Sequence, residues 1–150
     1  MGRITQLDAS GDTALTSLSC SCNYITSINL MQDAALQDLS CHYNRLSGFA
    51  LGDNTNRRSL YCQSNQICNL DLSKNTSLIN FGYWNNQLST LDLSKNTQLW
   101  DFQCYSNPIT SLNLTQNTNL GLLDCSGCQI GTLDLRASCD LRTLSCRGAR

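Results

Sequence analysis

Leucine or a close substitute returns along this chain every 21 residues. Aligned on that period, the first column reads Leu15, Leu36, Arg57, Leu78, Leu99, Leu120 and Leu141, broken only by Arg57. The fourth column is Leu18, Leu39, Leu60, Phe81, Phe102, Leu123 and Leu144; the sixth is Cys20, Cys41, Cys62, Tyr83, Cys104, Cys125 and Cys146. Apolar residues fill the eleventh column from Ile25 to Ile130, the fourteenth from Ile28 to Leu133 and the sixteenth from Leu30 to Leu135. Polar positions are as regular. Asn occupies the ninth column at Asn23, Asn44, Asn65, Asn86 and Asn107, with Cys128 in the next coil, and a second Asn column runs through Asn54, Asn75, Asn96 and Asn117.

Each row therefore carries L-x-x-L-x-L-x-x-N twice. In L-x-L the two apolar side chains point to one side of a strand and the residue between them to the other. A coil with one such unit in each half cannot bury its apolar side alone, but stacked coils bury the columns continuously. The expected fold is mainly β: a solenoid of about seven 21-residue coils with two parallel strand ladders and little helix, roughly 30 Å long. The chain reads as a single repeat domain, 1–150, with a partial coil 1–14, full repeats 15–35, 36–56, 57–77, 78–98, 99–119 and 120–140, and a partial coil 141–150. Composition agrees. Glu and Val are absent and Lys occurs only at Lys74 and Lys95, so the vocabulary of exposed helices is missing.

This pattern resembles the leucine-rich-repeat signature. The form L-x-x-L-x-C-x-x-N-x-L-x-x-L-D-L-S-K-N-T is similar to the short tandem repeats of bacterial surface or secreted leucine-rich-repeat proteins. The resemblance covers essentially the whole chain and implies a right-handed solenoid. It implies a secreted or cell-surface location, although Met1-Gly2-Arg3 leads into polar sequence without a signal-type apolar core. It is silent about the ligand, because this architecture carries many unrelated activities.

Inward Asn side chains at the turns are expected to bond backbone groups that a bend leaves unpaired, and each other up the ladder. The cysteine column reads as small buried hydrophobes rather than a metal or redox ladder, with reduced, protected thiols. Neighbours in a parallel ladder point the same way, which suits disulfide geometry poorly. Cys125-Ser-Gly-Cys128 matches C-x-x-C, but both cysteines fall on repeat columns; Cys22, Cys68 and Cys139 lie off the Cys column and are candidate reactive thiols. Tyr83 is expected to fill core space beside Phe81 and Phe102.

Coil-to-coil variation concentrates in the first half-repeat. Its outward positions hold Asp38, Ser40 and His42, then Ser59, Tyr61 and Gln63, then Asn80, Gly82 and Trp84, then Asp101, Gln103 and Tyr105, then Leu122, Asp124 and Ser126. Exposed Tyr and Trp with nearby charge compose interface hot spots. The candidate ligand-binding residues are therefore His42, Tyr43, Tyr61, Trp84, Trp100, Asp101, Tyr105 and Asp124, and the expected partner is a protein or glycan. The second half-repeat is monotonous, with Asn29, Asp71, Asp92, Asn113 and Asp134 in one outward column. Two other readings are a purely structural array segment and ice or mineral binding through the row Thr55, Thr76, Thr97 and Thr118.

A net charge of -1 without a basic patch argues against nucleic acid, and no stretch approaches a membrane span. His42 is the sole histidine, no nucleophile motif or phosphate loop is present, and neither catalysis nor a cofactor or metal is expected. Both ends lack an obvious capping repeat, and Arg136, Arg142, Arg147 and Arg150 crowd the last coil. End-to-end association into a homodimer is the corresponding expectation.

Overall fold

The computed structural model describes residues 3–52 and 54–148. Nine short strands occur: β1 (Gln6–Asp8), β2 (Ser17–Ser19), β3 (Ser27–Asn29), β4 (Asp38–Ser40), β5 (Ser59–Tyr61), β6 (Asn80–Gly82), β7 (Asp101–Gln103), β8 (Leu122–Asp124) and β9 (Thr143–Ser145). Seven of them, β2 and β4 to β9, form one parallel sheet in chain order, the front sheet; β1 and β3 form the second. Register follows the repeat, pairing Leu39 with Leu60, Leu60 with Phe81 and Phe81 with Phe102. The chain is thus a parallel β-solenoid of about seven turns, with no helix among the described residues. Both expected sheets are present, but their extents differ greatly. The rear segment of coil 36–56, next after β3, breaks the pattern with Phe49 and Ala50; those from coil 57–77 onward carry the same Leu and Asx pattern as β1 and β3 without forming a ladder.

The bend that ends each front strand has a fixed construction. The eighth residue of every coil is left-handed, with φ of 53 to 60° at Cys22, Tyr43, Ser64, Asn85 and Ser106, and 68° and 63° at Gly127 and Gly148. The next residue then turns an amide inward. Nδ2 of Asn65 donates to Cys62 O in its own coil at 3.0 Å and to Cys41 O in the preceding coil at 3.1 Å, while its Oδ1 accepts from Leu46 N at 3.0 Å. Asn44, Asn86 and Asn107 repeat the same three bonds. Cys128 reproduces one of them, its thiol donating to Cys104 O at 3.3 Å. The second Asn column also reaches backward: Asn75, Asn96 and Asn117 donate to the main-chain carbonyls of Asn54, Asn75 and Asn96. Both columns therefore bond backbone rather than one another's side chains, because a carbonyl of the coil below lies nearer than the next amide.

The outward Asx column has an equally local role. Asp71, Asp92, Asn113 and Asp134 each accept the amide two residues on, at 2.8 to 3.1 Å, and so end the rear segment in an Asx turn. Those bonds hold the Asp71 and Asp92 carboxyls below the usual range.

Between the faces lies one continuous core of the Leu, Ile, Phe and Cys columns. Phe81 and Phe102 stack at 5.4 Å with planes 6° apart, and buried Tyr83 donates its hydroxyl to Ile67 O at 2.7 Å, which lets a phenol stand in a thiol column. Cys20, Cys41, Cys62, Cys104 and Cys125 are buried as expected. Cys146 is not: it is exposed, because its coil has no neighbour above it among the described residues. Leu144 in the same coil is 46% exposed. Of the arginines expected to crowd that coil, Arg136 pairs with Asp134 at 2.6 Å, and Arg150 lies outside the described residues.

Arg57, the exception in the leucine column, is fully buried. One guanidinium nitrogen donates to Asn54 Oδ1 at 2.8 Å, whereas Nε and the other nitrogen find no partner. Desolvation pulls its pKa down to about 10, and nearby Cys41 and Asp33 oppose the shift. Asp33, also buried, stands where later coils have Asn, and both its carboxylate oxygens lack a hydrogen bond. Buried charged groups that are poorly satisfied are commonly no more stable than apolar groups of their size. The double variant Arg57→Leu/Asp33→Asn, which restores both columns, is expected to be more stable than the parent by about 1–4 kcal/mol in urea unfolding. Asp33→Asn alone, which leaves the guanidinium without a nearby carboxyl, should be less stable than the double variant; the reverse order would show that buried Arg57 supports the fold.

The buried thiols generate a second expectation. Burial pushes Cys20 and Cys125 up to about 11 and Cys41 and Cys62 higher, while a hydrogen bond with the Cys128 thiol, then burial, raises Cys104. A group whose folded pKa is raised stabilises the native state below its unfolded pKa and loses that contribution as pH rises toward its folded pKa. Stability should accordingly fall above pH ~9 by about 1.4 kcal/mol per pH unit for each such thiol. Urea midpoints in reductant at rising pH measure this, and a flat profile to pH ~10.5 would contradict it. Native thiol titration should count four reactive groups, the exposed Cys22, Cys68, Cys139 and Cys146, with the rest appearing on unfolding.

Candidate functional site

The outward side of the front sheet is where sequence varies while backbone does not. Alternation within each three-residue strand sends the central residue into the core and its two neighbours outward, and the position just after the strand's cysteine faces out again. Tyr61 on β5, Trp84 after β6 and Tyr105 after β7 consequently lie on adjacent coils of one surface.

These rings form a continuous strip. Trp84 and Tyr105 stack with centroids 5.2 Å apart and planes 11° from parallel. Tyr61 and Trp84 both lean over Gly82, where a β-carbon would lie 2.8 Å from Tyr61 Cδ1 and 2.9 Å from Trp84 Cζ3. Any side chain at this strand position would therefore force the two aromatics apart. Gln63 lies beneath them, 6% exposed, its Oε1 only 3.2 Å from the same point and without a hydrogen bond.

Carboxylates flank the strip. Gln103 Nε2 donates to both Asp101 oxygens at 3.0 and 3.1 Å, holding the group on the face, and Asp124 accepts from Ser126 N at 3.0 Å. Their field reaches the rings: burial first, then Asp101 and Asp38, raise the Tyr61 phenol, and burial with Asp124 raises Tyr105. His42 meets Tyr43 edge-on at 5.4 Å, and burial lowers its pKa, keeping it neutral near pH 7. Tyr43 is 56% exposed, lifted out by its left-handed backbone.

Trp100 does not join the strip. It sits one position ahead of β7, on the flank, and lines a cavity of about 620 Å³ with Ile79, Gln98, Asn119, Asp140 and Arg142. Its indole lies against Gly121, where a β-carbon would fall 2.3 Å from Nε1. The expected ligand residues thus divide: Tyr61, Trp84, Tyr105, Asp101 and Asp124 share the front, His42 and Tyr43 form an edge pair there, and Trp100 opens on the flank. Sequence reasoning gave no role to Gly82, Gly121 or Gln63. The available signal was a glycine interrupting a column of larger residues beside an aromatic in the neighbouring coil. The threonines Thr55, Thr76, Thr97 and Thr118 are exposed in one row at the turn before the front strands.

No family model and no curated protein sequence matches the chain. Solved structures do. The functional domain of InlJ from Listeria monocytogenes, which includes a cysteine ladder, aligns with a TM-score of 0.63 at 24% identity over 99% of this chain and 47% of that one. A leucine-rich-repeat protein of Leptospira interrogans aligns with a TM-score of 0.75 at 25% identity, covering 89% of this chain and 37% of that one. The internalin InlF from Listeria monocytogenes gives 0.59 at 18% identity over 84% and 48%. The chain spans less than half the length of each. With its 21-residue coils, parallel front ladder and column of cysteines, the chain has the leucine-rich-repeat solenoid fold of these bacterial proteins.

Proposed function

We propose that this chain is a protein-binding repeat module whose ligand is recognised on the outward face of the front sheet. The observation that carries the reading is the half-exposed strip Tyr61–Trp84–Tyr105, in which Trp84 stacks on Tyr105 and both Tyr61 and Trp84 lean over the notch at Gly82. Aromatic side chains held in place before binding lose little rotamer freedom when a partner covers them, so their buried area goes largely into affinity. The rear offers no equivalent, since its polar column is committed to closing turns. The likeness to internalins supports a binding module.

For a protein ligand captured on the immobilised chain, Trp84→Ala or Tyr105→Ala should weaken affinity by roughly 30-fold or more, about 2 kcal/mol, as anchor residues do. Circular dichroism and melting should change little, because both rings are outside the core. Thr97→Ala, at the turn, should bind as the parent does. Full affinity in both aromatic variants would place the site elsewhere.

A further inference from the structure

We propose that the segment received by this face is a cationic one, a stretch of a partner protein presenting lysine or arginine side chains to the strip and its flanking carboxylates. The inference rests on the front face being the binding face. Its basis is the sign of everything on that surface. Across the outward positions of coils 36–126 stand Asp38, Asp101 and Asp124 and no lysine or arginine; Arg147 first appears at the far end. None of the three carboxylates is ion-paired among the described residues, where Asp134–Arg136 is the pair observed. The chain's other cations are placed elsewhere. Arg57 is inside the core, Arg58 and Arg142 line the flank cavities, and Arg3 and Arg45 sit over Tyr24.

Carboxylates and ring faces ask for the same kind of group. The face of a Trp or Tyr ring is the negative pole of its quadrupole and attracts a guanidinium or ammonium, more strongly as water is excluded. The protein already uses this contact, with the Arg45 guanidinium carbon 4.3 Å and that of Arg3 4.6 Å from the Tyr24 ring centre. Asp101 on β7 and Asp124 on β8 face outward from adjacent strands, and Tyr105 follows β7 in the same coil, so rings and carboxylates share one surface that a cation above the stack would meet. The polar atom left unpartnered beneath the strip, Gln63 Oε1, is likewise an acceptor. Lysine and arginine bring donors only. A neutral glycan would use the stack and donate hydroxyls to the carboxylates but add no charge attraction, so its binding would be nearly indifferent to salt.

The test uses deca-arginine, deca-glutamate and maltoheptaose as probes and reads Trp84 fluorescence in a Trp100→Phe background, which removes the flank indole's signal. Deca-arginine should quench Trp84 saturably, weakening at least about tenfold between about 50 and about 500 mM salt. It should weaken about tenfold again in Asp101→Asn/Asp124→Asn, which retains shape and removes charge. Deca-glutamate should do nothing. Absence of saturable quenching by deca-arginine, or quenching indifferent to the paired Asn substitutions, overturns the proposal. If maltoheptaose or deca-glutamate binds at Trp84 instead, the cationic partner is wrong while the front face stands. If a captured protein ligand binds Trp84→Ala and Tyr105→Ala undiminished, the face itself is wrong and the proposal falls with it.

Discussion

A coil that must bend every few residues around a dry interior turns main-chain carbonyls and amides inward, where each unpaired group costs a free energy of about 1–3 kcal/mol. In this chain the ninth-column asparagine answers that cost. One carboxamide bonds the carbonyl at its own bend, the matching carbonyl of the coil below and an amide two residues past that coil's bend. Because the same side chain closes its own turn and ties it to its neighbour, coil length cannot drift. A coil one residue longer would shift both the carbonyl below and the leucine columns out of line. Bend geometry and core packing thus enforce the same 21-residue period.

The bend has a conformational cost. Three residues after each front strand stands a left-handed residue, and in five coils that residue is not glycine. A side chain there costs roughly 1–2 kcal/mol relative to the ordinary backbone. At Tyr43 the left-handed backbone lifts a ring to the edge of the variable face. Arg57 and Asp33 show a different tolerance. Cooperative stacking of the remaining columns accommodates a buried guanidinium and a buried carboxyl with few hydrogen bonds.

Front and rear differ in how coils are joined, and that difference separates scaffold from surface. On the front, strand hydrogen bonds and the asparagine ladder fix the backbone, leaving outward side chains free to differ without altering the fold. On the rear, side chains are engaged in the turns themselves, and Asp, Asn and Ser recur with little variation. A recognition surface built on the front inherits a rigid frame, and its aromatics can be shaped by single glycines such as Gly82 rather than by loops.

Repeat length, inward columns, parallel register and the buried roles of asparagine and cysteine were legible from the sequence, because each follows from side-chain period and backbone satisfaction repeated coil after coil. The outward columns were legible too, by alternation. Other features depended on how neighbouring coils met. The rear ladder's confinement to β1 and β3 was not read from the columns: Phe49 and Ala50 mark a break next to β3, but the later rear segments carry the paired segments' Leu and Asx residues and still form no ladder. The partners of the asparagines, the exposure of Cys146, the burial of Arg57 and the assignment of Trp100 to the flank were also decided by the stack. A period tells which way a side chain leaves its own strand. Whether it then meets a ring, a carbonyl, a notch over glycine or open solvent is set by the coil 21 residues away, whose side chains vary independently.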